Sequence, residues 1–177
     1  MKNALLIIDV QRGLFDPEPR PHEADVVLER INFLTMRARD KGVPVIWIQH
    51  EDAGELAFLS PGWQLASSLL ELPTDLKVGK KTADSFLNTD LGGLLSQLGT
   101  ESIVVAGYAS EFCVDTTVRR AAALGFPVLI AADAHTTHDK PHASGEAIRR
   151  HHNATLSAIS SFGPQIRAVP CSEVEFE

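Results

Sequence analysis

The stretch Ala106-Gly107-Tyr108-Ala109-Ser110-Glu111-Phe112-Cys113-Val114-Asp115-Thr116-Thr117 passes from an apolar run through a tight turn into a helical pattern. Cys113 stands at or near the first turn of that helix. Unpaired N–H groups and the macrodipole at a helix start favour an anion, so a thiolate is stabilised there. The same N–H groups can hold the oxyanion of a tetrahedral intermediate. A free cysteine also serves as a small buried hydrophobe, and the neighbouring Glu111 and Asp115 oppose ionisation. Position alone weighs these two readings equally. An ordinary thiol, with a pKa of about 8.5, is only a few per cent ionised at neutral pH and needs a base or a cation beside it. Asp9, closing the apolar run at residues 4–8, is a candidate base, although a strand-end aspartate is also a common turn or cap residue. Lys80 or Lys81, after Val78-Gly79, is the candidate cation, set against the ordinary fate of paired lysines on a solvated surface.

These residues must be brought together by the elements that carry them. Short apolar runs alternate with helix-patterned stretches, the pattern of βαβ units around a parallel sheet. Residues 4–8 are continuously apolar, as a strand buried on both faces requires. Residues 43–49, 101–106, 126–131 and 165–169 read as the following strands. An amphipathic helix is predicted over about residues 23–41, with Val27, Ile31, Leu34 and Ala38 at helical spacing and Gly42 as its stop. Further helices are predicted over 90–98, 113–124 and 144–159, while residues 51–82 read as a long irregular connection of the kind that is usually functional or locally structured. Right-handed crossovers then predict a three-layer α/β/α fold, a doubly wound, mainly parallel, Rossmann-like sheet of about five or six strands in a single domain, residues 1–177. Ligands bind such sheets beyond the carboxyl ends of the strands. Asp9, His50 and residues 107–113 all fall there.

Composition narrows the partners. The net charge of −7 leaves no basic stripe for nucleic acid or an acidic membrane surface. No apolar window reaches the length of a membrane span, and the apolar N-terminal stretch is too short for a signal-peptide core. Two cysteines, Cys113 and Cys171, make neither a disulfide framework nor a metal pair, so a cytoplasmic location with a free thiol is expected.

Leu5-Leu6-Ile7-Ile8-Asp9-Val10-Gln11-Arg12-Gly13-Leu14-Phe15 resembles the opening motif of the isochorismatase-like hydrolases, an apolar strand followed by Asp-x-Gln and then Phe. Lys80-Lys81-Thr82-Ala83-Asp84-Ser85-Phe86 with Thr89-Asp90-Leu91 is similar to the family's lysine segment, in which Lys stands six residues before Phe, and this alignment selects Lys80. Residues 107–114 with Thr117 and Ala121 resemble the nucleophile segment, and Asp133-Ala134-His135-Thr136-Thr137 the Asp-Ala stretch after the next strand. The resemblance covers nearly the whole chain. It implies an Asp9–Lys80–Cys113 triad, a cis peptide between Tyr108 and Ala109, and an oxyanion site at the N–H groups of Ala109 and Cys113. It also implies hydrolysis of a C–N bond in a small amide, carbamoyl or imide through a thioester, and a homo-oligomer, most simply a dimer. An enol ether hydrolase, which needs no thiol, and a doubly wound binding domain without catalysis are the competing readings.

Gln11, Phe15, His50, Trp63 and His135 are candidate substrate contacts, and Trp47 is read as core. Spacing such as His135-x-x-His138 invites a metal reading. A polar loop followed by a helix explains the five histidines from His135 to His152 as well, so no metal and no cofactor are expected. Nicotinamidases within the superfamily carry an Asp-x-His metal pair after the second strand. Gln49-His50-Glu51-Asp52 does not reproduce it.

Overall fold

The computed structural model describes residues 1–177. Strands β1 (Asn3–Ile8), β2 (Val45–His50), β3 (Leu76–Lys80), β4 (Ser102–Tyr108), β5 (Val128–Thr136) and β6 (Ile166–Val169) form one sheet. Every pairing is parallel, in the spatial order β3-β2-β1-β4-β5-β6. The helices are α1 (Arg12–Phe15), α2 (Ala24–Asp40), α3 (Leu91–Leu98), α4 (Asp115–Ala123) and α5 (Gly145–Ser157). No helix is long and apolar enough to cross a membrane.

The run at β1 is apolar at every step because both faces of the strand are covered. Leu5 and Ile7 join α2 residues Val27, Ile31, Leu34 and Ala38 in one core. Ala4, Leu6 and Ile8 join Leu91 and Leu95 of α3, Val118 and Ala121 of α4, and Leu156 of α5 in the other. Each fully buried Leu or Ile contributes roughly 1.5–3 kcal/mol by leaving water, so β1 is the axis of the fold. Strand order reverses beside it: β2 leaves on one side and β4 on the other. The crevice beyond the carboxyl ends of β1 and β4 is therefore the switch point at which doubly wound sheets bind ligands.

Three elements depart from the sequence-based expectation. The connection over residues 51–82 contains a sixth strand, β3, whose only partner is β2. As an edge strand it buries little and alternates only Leu76 and Val78 with Lys77 and Gly79, so it carries no apolar run. Strand β5 continues past Ala131 to Thr136, and its register against β4 jumps between Ile130 and His135. Cys113 lies in a π-helical turn, Ser110–Val114, that precedes α4.

Edge strand β3 is tied down at its entrance by Asp75. This carboxylate accepts hydrogen bonds from Arg39 of α2, from the buried Trp47 indole at 2.9 Å and from the Leu72 N–H at 2.9 Å. Burial alone would raise the Asp75 pKa, but Arg39, the Leu72 N–H and the Trp47 N–H outweigh it and hold the carboxyl below its usual range. Asp75→Ala takes the charge partner from the Arg39 guanidinium, which keeps Leu70 O and Thr35 as acceptors, and leaves the indole N–H unpaired. It is expected to cost about 3–5 kcal/mol in urea unfolding at neutral pH. Because the folded pKa is depressed, that stabilisation is fully present above the unfolded value of about 3.9 and is lost as pH falls through the folded one. The gap between wild type and variant is expected to shrink on acidification below pH 4 or so.

Candidate active site

Asp9 is the first residue after β1, and its φ of 52° ends the regular alternation of the strand. Aspartate tolerates this left-handed region better than most residues. Its N–H donates to Ile48 O at 2.8 Å, which fixes it over the gap between β1 and β2. Lys80 is the last residue of β3 and sits in register with His50 of β2, so the two side chains rise on the same face. The third segment enters through Gly107, which pairs with Ile8 and has a φ of 121°. A Cβ there would lie 2.2 Å from Ile8 O, so only glycine lets β4 run this close to β1 at the site. The Tyr108–Ala109 peptide that follows is cis, as the resemblance implied. The π-helical turn then closes with Val114 N–H donating to Ala109 O at 3.1 Å.

These segments meet at the Lys80 ammonium. Its Nζ lies 2.7 Å from Asp9 Oδ2, 3.0 Å from Thr82 O, 3.3 Å from Cys113 Sγ and 3.3 Å from His50 Nδ1. Asp9 and Lys80 are each 2% exposed, whereas Cys113 is half-buried and reaches the surface. The second carboxylate oxygen, Asp9 Oδ1, is buried and accepts no hydrogen bond. The N–H of Ala109 engages no acceptor in the chain. A buried site with a thiol, a bare carboxylate oxygen, an ammonium and a free backbone donor has the parts for nucleophilic attack on a carbonyl.

The electrostatics depart from the expectation of a depressed thiol pKa. Burial and the charge of Asp9 push the Cys113 thiol up to about 12, with Lys80 opposing them. Burial also raises Asp9, against the pull of Lys80. The resting thiol is therefore protonated, and the ion pair beside it belongs to Asp9 and Lys80. The opposing carboxylate is Asp9, not the sequence neighbours: Asp115 is bound by Arg119 at 2.9 and 3.0 Å, and Glu111 accepts from Thr137 at 2.9 Å. Burial and Lys80 lower the His50 pKa, leaving its imidazole neutral at pH 7.

The five candidate substrate contacts differ in exposure: His50 is half-buried and the other four are buried. His50 borders the ammonium and is half-buried, and Trp63 packs edge-on against Phe58 at 5.0 Å with its indole N–H unpaired. The other three are packed inside the fold. Gln11 is buried with its amide spent: it receives the His50 N–H at 2.8 Å and donates to His50 O and Trp63 O, both at 3.0 Å. It staples the end of β2 to the following loop. Phe15 is fully buried and supports the Tyr108 ring edge-to-face at 5.7 Å. His135 is 1% exposed, with its ring nitrogens on Ser110 and Asn153.

Two contributors escaped the sequence reading: the Thr82 carbonyl on Lys80, which is backbone and leaves no signature, and the contacts of Ser110 and Asn153 with His135, which join distant segments. Cys171 belongs to the α2-side core, its N–H donating to Asp133 at 2.7 Å. The histidines disperse: His138 bonds Tyr108, and His152 bonds the Ile148 carbonyl. No three His, Cys, Asp or Glu side chains converge as a metal would require.

Residues 3–162 match the model of the isochorismatase domain. A streptothricin hydrolase of Streptomyces noursei is 39% identical over 140 residues, 78% of this chain and 51% of the relative. The chain thus spans about half the length of that relative. A ureidoacrylate amidohydrolase, RutB, of Methylobacterium radiotolerans is 27% identical over 89% of this chain and 73% of its own length. The crystal structure of an isochorismatase family protein superposes with a TM-score of 0.87 at 34% identity, covering 95% of this chain and 98% of the other. With the matched domain running from β1 through α5, this chain belongs to the isochorismatase family.

Proposed function

We propose that the chain is a cysteine-dependent amidohydrolase that cleaves a C–N bond of a small amide, carbamoyl or imide compound through a thioester on Cys113. The observation that carries this reading is the Lys80 ammonium in contact with both Asp9 Oδ2 and Cys113 Sγ while Asp9 Oδ1 has no partner. With a thiol pKa of about 12, a standing thiolate is scarce, so the proton must leave as the sulfur attacks. Asp9 takes that proton and Lys80 holds the carboxylate and sulfur in place. The S–C bond forms as the carbonyl π pair moves to oxygen, where the N–H groups of Ala109 and Cys113 receive it. Collapse of the intermediate breaks the C–N bond, and Asp9 returns the proton to the leaving nitrogen. Water, losing a proton to Asp9, then attacks the thioester carbonyl; the C–S bond breaks, Asp9 returns that proton to the departing sulfur, and the carboxylic acid leaves with the thiol restored. The names of the two relatives describe hydrolases, one of them an amidohydrolase, in keeping with this chemistry. Enol ether hydrolysis would leave the thiol without a task.

The test is a panel of small primary amides, ureido acids and cyclic imides assayed for ammonia or amine release, with intact-mass analysis after acid quench. The expected result is turnover of at least one class with an acyl mass on the peptide containing Cys113. Full turnover after that cysteine has been blocked by iodoacetamide would sink the proposal.

A further inference from the structure

His135 has no surface to offer a substrate, yet both of its ring nitrogens are committed. For a neutral ring the bonds around it have only one self-consistent set of directions. Ala132 O, a backbone carbonyl, can only accept, so the Asn153 atom 2.8 Å away is the amide nitrogen. Asn153 Oδ1 then faces His135 Nε2 at 2.8 Å, and that nitrogen must carry the hydrogen. His135 Nδ1 is left as the acceptor, and the Ser110 hydroxyl, 2.8 Å away, donates to it. Burial keeps the ring neutral, with a pKa near 4; the Asn153 bond and Asp133 oppose this, while Arg149 and His152 reinforce it.

The chain of bonds ends at a consequential place. Ser110 is fully buried and opens the π-helical turn, directly after Ala109 with its free N–H and three residues before Cys113. The register jump in β5 is what sets His135 opposite Gly107, beside this turn. A π-helical turn has few internal bonds to hold it, so a directional tether from α5 and β5 fixes where the sulfur and the oxyanion donor sit. We infer that Asn153, His135 and Ser110 form a hydrogen-bond chain of fixed direction that positions the nucleophile turn, making His135 and Ser110 positioning residues for Cys113. The kinetic side of this inference rests on Cys113 being the nucleophile; the direction of the bonds does not.

Two measurements test it. Imidazole nitrogen-15 NMR of the full chain is expected to find His135 as the Nε2–H tautomer at neutral pH; an Nδ1–H tautomer or an imidazolium would overturn the chain as drawn. Ser110→Ala removes the donor, and Ser110→Thr keeps a hydroxyl. For the amide best turned over in the panel, Ser110→Ala is expected to lose about tenfold or more in kcat with KM within about twofold, and Ser110→Thr to recover most of it. A freed turn exposes the thiol, so the pH midpoint of Cys113 alkylation by iodoacetamide is expected to fall by about one unit or more in Ser110→Ala and to stay put in Ser110→Thr. A purely structural role would lower the melting temperature and leave that midpoint unmoved, which would overturn the inference, as would wild-type kcat in Ser110→Ala. Cys113→Ala is run alongside: turnover surviving there refutes the nucleophile, whereas an inactive Cys113→Ala beside an unaffected Ser110→Ala refutes the positioning chain alone.

Discussion

Cys113→Ala is expected to lose turnover by on the order of 10⁴-fold or more while melting close to the wild type. The two halves of that expectation have separate physical grounds. On the proposed route catalysis fails because the reaction is split by a covalent intermediate, and no other group near the Lys80 ammonium replaces the sulfur: the His50 Nδ1 is turned to the ammonium, and Asp9 is held by it and serves as the base. The fold survives because the sulfur is half-buried, so truncation leaves a notch open to water instead of a sealed cavity. The Asp9–Lys80 pair also retains its 2.7 Å contact and its Thr82 acceptor, so no buried charge is orphaned. The measurement is amine release over hours at high enzyme concentration, with thermal unfolding as the control. Hydrolysis within tenfold of wild type would leave the thioester route untenable. Cys113→Ser is expected to be nearly as slow, since a hydroxyl ionises far less readily than a thiol and Asp9 is a weak base for it.

Much of this site was legible because its residues stand at strand ends. Asp9 interrupts an apolar run, and Cys113 follows one through a turn, so the switch-point geometry could be anticipated before any contact was known. Lys80 was legible only through the family pattern, since β3 is an edge strand whose half-exposed residues leave no periodic signal. The direction of the thiol shift was not legible. The helix-start argument concerns local backbone, whereas the dominant influences are burial and a carboxylate over a hundred residues away, delivered by the close Ile8–Gly107 pairing. The burial of Gln11, Phe15 and His135 was not legible for a related reason. Motif spacing shows that a residue belongs near the site, but it does not say whether the side chain faces the substrate or the scaffold behind it. Gln11 and His135 are polar residues with every bond made internally, and burial with full hydrogen bonding marks them as scaffold.

Under the proposed mechanism Asp9→Asn separates two roles that one carboxylate combines, and its two expected effects run in opposite directions. The substitution is nearly isosteric, so the end of β1 and its N–H bond to Ile48 O are kept. Hydrolysis is expected to fall by about 10²–10⁴-fold, the usual contribution of a positioned general base, because an amide cannot take the thiol proton or return it to the leaving nitrogen. The thiol itself is expected to become more acidic. Asp9's negative charge is, after burial, the largest influence raising the Cys113 pKa, and Lys80 is the one lowering it. Removing the first leaves the ammonium 3.3 Å from the sulfur as the dominant nearby charge. Each unit by which the pKa falls gives about tenfold more thiolate at neutral pH. Iodoacetamide, which needs only a thiolate and no returned proton, is therefore expected to label Cys113 faster in the variant than in the wild type at pH 7. Catalysis and nucleophile ionisation then move apart, which a model of a pre-formed thiolate stabilised by the helix start does not allow. Under that model Asp9→Asn would leave the labelling rate and turnover nearly as they were, and slower labelling would show that Asp9 sustains the thiolate instead of suppressing it.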